Sequence, residues 1–171
     1  MAGIIKFLKV RDVKSPSRAN AYDAGIDFYV PEFTPEFIKL LQEKNPEIYI
    51  TNNEIMLYSN EKVLIPSGIH CQMFDNDRAL IAANKSGIAS KLGLVFTAQV
   101  VDYEYQGEIH LGVINVSNRA VRITPGMKLL QFIETPVFHS EINVTENSSV
   151  EEFYEKETTR GAGGFGSTSN I

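Results

Sequence analysis

The sequence predicts an all-β fold of the sandwich, jelly-roll or barrel kind. Three observations predict it. Most of the chain consists of short segments rich in β-branched and apolar residues. Turn chemistry separates them, as in Pro66-Ser67-Gly68, Asp75-Asn76-Asp77, Ser117-Asn118 and Thr124-Pro125-Gly126. No alternation of strand and helix appears, which excludes Rossmann and P-loop architectures.

Taken in order, strands are expected over residues 4–10, 61–65, 69–73, 79–83, 108–116 and 128–133. Several alternate cleanly: Ile109, Leu111 and Val113 share one face, with His110 and Gly112 on the other. One segment breaks the pattern. Thr34-Pro35-Glu36-Phe37 offers an N-cap hydroxyl, a proline at the first helical position and an acid in the first turn. Phe37, Ile38, Leu40 and Leu41 then fall on one face and Asn45-Pro46 stops the run, which predicts a short amphipathic helix over 34–45. An extended stretch follows to about Leu57, so that residues 31–60 read as an insertion on a β scaffold. The expected organisation is a β domain over 1–145 and an arm over 146–171. Arg160 to Thr168 holds four glycines in nine residues, too few core formers for anything but a mobile arm.

The 171 residues suit one domain with a real core. A net charge of −5, with no basic stripe, excludes a module for nucleic-acid polymer but not a pocket for a free nucleotide. No apolar run approaches a membrane span, and the N-terminus lacks the pattern of a secretory signal. Cys71 stands alone, which precludes an intrachain disulfide and fits a reducing compartment, so a cytoplasmic location is expected. His70, His110 and His139 are too scattered for a metal site.

Five segments carry chemistry. In the tail, Gly161, Gly163 and Gly166 satisfy a dinucleotide-binding pattern by accident, because no strand precedes them. The segment reads better as a lid: glycine backbones approach phosphate closely, Arg160 offers a forked cation, Phe165 a flat face for a base, and Gly166, Ser167 and Thr168 close the run. The alternative is a passive tail. Asn84-Lys85-Ser86-Gly87-Ile88-Ala89 places a cation, a hydroxyl and a glycine after a strand, either a phosphate site or a polar turn. In Val100-Val101-Asp102-Tyr103-Glu104-Tyr105-Gln106-Gly107-Glu108, Asp102 follows apolar residues and precedes a turn. Such a carboxylate sits at a rim, orienting a water for attack, or simply caps a hairpin tip. Asp23-Ala24-Gly25-Ile26-Asp27 and Pro125-Gly126-Met127-Lys128-Leu129-Leu130-Gln131 each join a turn to an apolar strand, and Asp27 is of the type that holds magnesium waters.

In this order the five segments resemble the five motifs of the trimeric dUTPases. Asp23 to Asp27 resembles the first, Lys85-Ser86-Gly87-Ile88-Ala89 the second, Val101-Asp102 through Glu108 the third, Gly126 to Gln131 the fourth and Arg160 to Thr168 the fifth. The resemblance spans residues 23–168 and implies a jelly-roll-like subunit, a homotrimer with shared active sites, and hydrolysis of dUTP to dUMP and pyrophosphate with Mg2+. That activity limits uracil in DNA and supplies dUMP for dTMP synthesis. It implies Asp102 as general base toward the water that attacks the α-phosphate, and Tyr105 beneath the deoxyribose, excluding a 2′-hydroxyl. Gln99, Val100 and Val101 would read uracil's edge, while Ser86 and Gly87 bind phosphate with Lys85 and Gln131 nearby. Arg160 would grip the outer phosphate, Phe165 stack on uracil, and Gly166, Ser167 and Thr168 close over the substrate. Asp27 would touch magnesium through water only.

The chain departs from the family pattern in three places: Lys85 replaces the usual arginine, Gln99 stands where many members have glycine, and the insertion over 31–60 has no counterpart. A dCTP deaminase shares the fold and some motifs. It needs a glutamate where this chain has Gly112 and a second arginine where it has Ser90. A nucleotide-gated regulatory protein, with a protein partner at the insertion, is the other alternative. The face of the predicted helix separates that reading from a structural insertion: exposed apolar residues would favour a partner.

Overall fold

A computed structural model describes residues 3–146, 148–154, 156 and 158–163. The chain divides into two compact units, Met1–Phe138 and His139–Ile171. The described part of the first is a β structure. Its strands are β1 (Ile5–Lys9), β2 (Gly25–Tyr29), β3 (Tyr49–Thr51), β4 (Glu54–Leu57), β5 (Lys62–Pro66) and β6 (Ile69–Met73). They continue with β7 (Arg78–Asn84), β8 (Leu94–Phe96), β9 (Val100–Val101), β10 (His110–Asn115), β11 (Val121–Ile123) and β12 (Lys128–Pro136). Two helices accompany them, α1 (Pro35–Lys44) and α2 (Ser86–Leu92). In the second unit, α3 (Val150–Phe153) is a single turn closed by a capping box between Ser149 and Glu152.

The strands pair as β1-β6, β5-β10-β8, β11-β4-β3 and β2-β12-β7-β9. All the named pairings are antiparallel. One apolar cluster draws on every sheet: Ile69 and Met73, Val63 and Leu111, Ile55 and Ile123, and Phe28, Leu80 and Phe132. The Phe28 ring lies 4.7 Å from that of Phe132 and 5.7 Å from that of Phe7. Alternation drives this. In β5, Val63 and Ile65 are buried while Lys62 and Leu64 face out.

The expected helix forms as α1. Thr34 caps it by accepting from the Phe37 N–H, Pro35 opens it and Asn45 ends it. Phe37 and Leu41 are buried, and Ile38 and Leu40 pack against the same core. The residues that would have been exposed in a partner-binding insertion are thus spent on the chain's own interior. The extended stretch after α1 is the hairpin β3-β4, whose turn holds Asn52 and Asn53 at φ 47° and 62°. No helix is expected after Lys85 from the sequence. The structure puts α2 there, with Ile88 and Leu92 one turn apart against the core and Gly93, at φ 70°, ending it.

Asn45 does more than end α1. Its side-chain amide donates to the Leu41 carbonyl (2.8 Å) and the Leu64 carbonyl (3.0 Å), and its Oδ1 accepts from the Leu64 N–H (2.9 Å). It thereby stands in for a neighbouring strand along the free edge of β5. Asn45→Ala leaves the Leu64 N–H and carbonyl short of a partner, while the Leu41 carbonyl keeps the backbone N–H of residue 45, and an equilibrium unfolding measurement is expected to show a loss of about 1–3 kcal/mol. No change would mean that water serves that edge equally well.

Candidate functional site

The centre of the site is set by strand pairing. Asp27 on β2 lies directly across from Gln131 on β12, which on its other side faces Ala83 near the end of β7. Asn84 and Lys85 follow, so residues from three distant segments meet at one end of this sheet. The Asp27 residue is 2% exposed. A carboxylate so buried needs cationic partners. It has two: Lys85 Nζ binds Oδ1, and Lys128 Nζ lies 2.8 Å from Oδ2.

Lys128 reaches Asp27 because of a bulge. In a regular strand, residues three apart point to opposite faces, so Lys128 and Gln131 would be separated. The register shifts between Lys128 and Leu130, with Lys128 opposite Tyr29 and Leu130 opposite Phe28. The extra residue, Leu129, turns Lys128 onto the face of Asp27 and Gln131. In the sequence Lys128 stands out only as part of the segment from Pro125 to Gln131. Its one signal was a cation just beyond a turn glycine in an otherwise apolar strand.

Burial alone would push the Asp27 carboxyl up, but hydrogen bonds and charge from Lys128 and Lys85 prevail and hold it below its ordinary value. The same bond with Asp27 raises Lys128. Gln131 is held from behind: its Nε2 donates to the Asn84 carbonyl at 2.9 Å, and a Cβ on Gly25 would overlap its Oε1. Beside this cluster opens a groove of about 460 Å³ lined by Lys85, Ser86, Gly87, Ile88, Lys91, Leu92, Lys128 and Gln131. Three of these residues are lysines. Lys85 provides no side-chain cap to α2, and a Cβ on Gly87 would meet nothing within 4 Å, so packing within the chain does not require glycine there. A larger hollow of about 820 Å³ lies by β1 and the loop preceding β2. It contains none of the expected site residues, and its Arg78 is already bound to Glu134 at 2.7 Å.

The structure therefore gathers Asp27, Lys85, Ser86, Gly87 and Gln131. The other expected residues lie elsewhere. Val100 and Val101 form β9, beside Ile81 and Leu80 of β7, and the Gln99 carbonyl accepts from the Ala82 N–H at 2.7 Å. Gln99 is exposed and its backbone still pairs with β7, so the departure from glycine leaves that pairing in place. Asp102, expected at a rim, is exposed in the single chain, and none of the residues from Gln99 to Tyr105 lines the lysine groove. The Tyr105 hydroxyl donates to the Glu108 carbonyl at 3.0 Å. Arg160 belongs to the second unit, where its Nε donates to the Gly163 carbonyl at 2.8 Å. Phe165, Gly166, Ser167 and Thr168 lie outside the described residues.

Residues 47–169 match the family model described as dUTPase. The chain belongs to the dUTPase family. Among curated dUTPase relatives, the deoxyuridine 5'-triphosphate nucleotidohydrolase of Serratia proteamaculans is 34% identical over 117 residues, covering 67% of this chain and 72% of the relative. That of Yarrowia lipolytica is 29% identical over 157 residues, 92% of this chain and 83% of the relative. The fold is likewise that of solved dUTPases. A Staphylococcus bacteriophage 80alpha dUTPase with dUpNHpp superposes with a TM-score of 0.72 at 18% identity, over 96% of this chain and 98% of that one. A phage phi11 dUTPase, in which a structural Mg(II) ion is coordinated, gives 0.66 at 17% identity, over 85% and 98%.

A protein-built magnesium site does not fit the described residues. Asp27 has both oxygens engaged by lysines, and no group of three His, Cys, Asp or Glu side chains comes together among the described residues. No helix among them is long and apolar enough to cross a membrane.

Because Asp27 is depressed on folding, its stabilisation is fully present above the unfolded carboxylate pKa and is lost as pH falls through the lower folded value. Asp27→Asn leaves two ammonium groups without a countercharge. Melting curves from about pH 2 to 7 are expected to show a lower Tm for the variant at neutral pH and a shallower loss below about pH 4. Parallel curves for the two proteins would mean that Asp27 does not govern that acid limb.

Proposed function

We propose that the chain hydrolyses dUTP to dUMP and pyrophosphate. The observation that carries this reading is the lysine groove: Lys85, Lys91 and Lys128 border Ser86, Gly87 and Gln131 in a protein whose net charge is −5. A triphosphate demands concentrated positive charge and positioning more than covalent help. In the reaction, a water oxygen bonds to the α-phosphorus, the bond to the β-phosphate bridging oxygen breaks, and pyrophosphate leaves. Asp102 takes the water's proton as general base. Its carboxylate makes no hydrogen bond or ion pair among the described residues and is free to do so. Tyr105 lies beneath the deoxyribose, and the backbone from Gln99 to Val101 reads the uracil edge.

Lys85 is shared. Its ammonium binds Asp27 in the free chain and turns to phosphate when substrate arrives. A magnesium ion carried by the triphosphate would supply neutralisation of charge on the phosphate oxygens, and Asp27 would approach it through water only. The phosphate groove and the Asp102 loop fall in different parts of one subunit, which supports a homotrimer whose sites are completed between chains. The arm then supplies Arg160 to the outer phosphate, Phe165 to the base, and Gly166, Ser167 and Thr168 to closure. The activity removes dUTP as a source of uracil in DNA and yields the precursor of dTMP. Gly112, standing where a deaminase needs a glutamate, leaves deamination without an evident proton shuttle, and Ser90 stands where it needs a second arginine.

Purified protein with magnesium, given dUTP, dCTP, dTTP or UTP separately, is expected to release pyrophosphate from dUTP and no ammonia. Asp102→Asn is expected to lower kcat by about 10²–10⁴-fold while KM stays within about threefold. Ammonia from dCTP would overturn the reading in favour of a deaminase.

A further inference from the structure

The loop from Asp102 to Glu108 is exposed along most of its length, yet its far end is anchored with unusual density. Glu108 makes four connections. One carboxylate oxygen binds the Arg11 guanidinium and the other accepts the Gly68 N–H at 2.6 Å. Its carbonyl accepts the Tyr105 hydroxyl at 3.0 Å and pairs with His110 Nδ1 at 2.8 Å. His70 Nδ1 lies 2.9 Å from the Gln106 carbonyl, so a second histidine holds the same loop. Tyr105 also lies over Gly107, where a Cβ would collide with the phenol ring.

Arg11 reaches Glu108 along a prepared path. Its side chain runs across Gly68, at φ 76°, where a Cβ would collide with Arg11 Cγ. Its guanidinium then lies over the ring of Phe37, 5.2 Å from the centroid. Phe37 belongs to α1, the helix of the insertion. Arg11 Nε is buried with no hydrogen-bond partner, and a guanidinium so placed is a costly way to fill space. An apolar side chain would pack there more cheaply; only a cation that reaches Glu108 explains the choice.

We propose that Arg11, seated on Phe37 of the insertion helix, is a positioning residue for substrate selection: through Glu108 it fixes where the Tyr105 ring stands. The insertion thereby acquires a role it shares with the active-site loop, as the platform beneath its brace. The inference rests on the reading that Tyr105 excludes a ribose. With Arg11 removed, Glu108 keeps only the Gly68 N–H on its carboxylate, its carbonyl drifts, and the phenol that follows it no longer defines a wall against a 2′-hydroxyl.

The test compares the full-length wild type with Arg11→Met, Arg11→Lys, Phe37→Leu and Tyr105→Ala. The readouts are kcat and KM for dUTP and UTP, amide hydrogen exchange over residues 103–108, and thermal melting. Arg11→Met is expected to speed exchange in that loop and raise KM for dUTP about tenfold. It should leave kcat within about threefold and cut the dUTP-over-UTP ratio of kcat/KM by about tenfold. Arg11→Lys should restore part of the ratio, and Phe37→Leu should move exchange and ratio in the same direction by less. A lower melting temperature with loop exchange and selectivity unchanged would overturn the proposal and leave Arg11 a stabiliser only. If Tyr105→Ala itself leaves the ratio unchanged, the placement of Tyr105 beneath the sugar fails. The exchange data then still decide whether Arg11 braces the loop.

Discussion

Burying one carboxylate between two lysines organises the rest of the site. Asp27 is buried in the sheet directly across from Gln131, and burial of its charge without cationic partners would be costly. The demand for cations reaches outward from there. Lys85 must leave β7 just where the strand ends, and Lys128 must be turned to the correct face by the bulge at Leu129. Gly25 must lack a side chain so that Gln131 can lie across it toward Asn84. Each of these is a local irregularity in an otherwise ordinary antiparallel sheet. The first two serve the buried carboxylate directly, the third places Gln131 beside it, and the groove with its three lysines opens next to that arrangement.

What the sequence made legible follows from what is periodic. The strands expected at 69–73 and 79–83 formed as β6 and β7 because their apolar residues alternate or run continuously into the core. Helix α1 formed between the Thr34 cap and Asn45, both of which act through local hydrogen bonds that sequence order alone determines. Helix α2 was not legible: Ser86 and Gly87 in its first turn are poor helix formers, and its support comes from Ile88 and Leu92 packing on a distant core. Lys128 was hidden for a related reason. A bulge depends on the partner strand, so period-two reasoning alone cannot bring this side chain to the face of Gln131. The strands β9 and β11, two and three residues long, are too short to carry a pattern.

The motifs were read in chain order, but their chemistry divides by mechanical character. Asp27, Lys85 and Gln131 stand on or just beyond paired strands, where backbone hydrogen bonds hold them whether or not a ligand is present. Asp102 and Tyr105 stand on a largely exposed loop, held toward its far end by His70 on the Gln106 carbonyl and by Glu108. In the proposed reaction, charge that must be concentrated before a triphosphate arrives belongs on the rigid part. Groups proposed to meet the reacting water and the sugar belong where a small movement can adjust them, provided something limits that movement. The insertion packs Phe37 and Leu41 into the core and leaves the Phe37 ring beneath Arg11, which ties it to the limiting element.

The choice of lysine at position 85 fits the same logic. An arginine beside Asp27 would present a planar fork, and a bidentate pair with the carboxylate would commit its geometry to one partner. An ammonium is a point charge with three rotatable donors on a flexible stem. It can hold Asp27 with one proton and offer the others toward the groove without reorienting a plane. Lys128 remains with Asp27 while this happens, so the carboxylate is never left without a countercharge. In the proposed reaction, two lysines on one aspartate therefore do what a single arginine does not: one keeps the buried charge neutralised, and the other is free to be shared with phosphate.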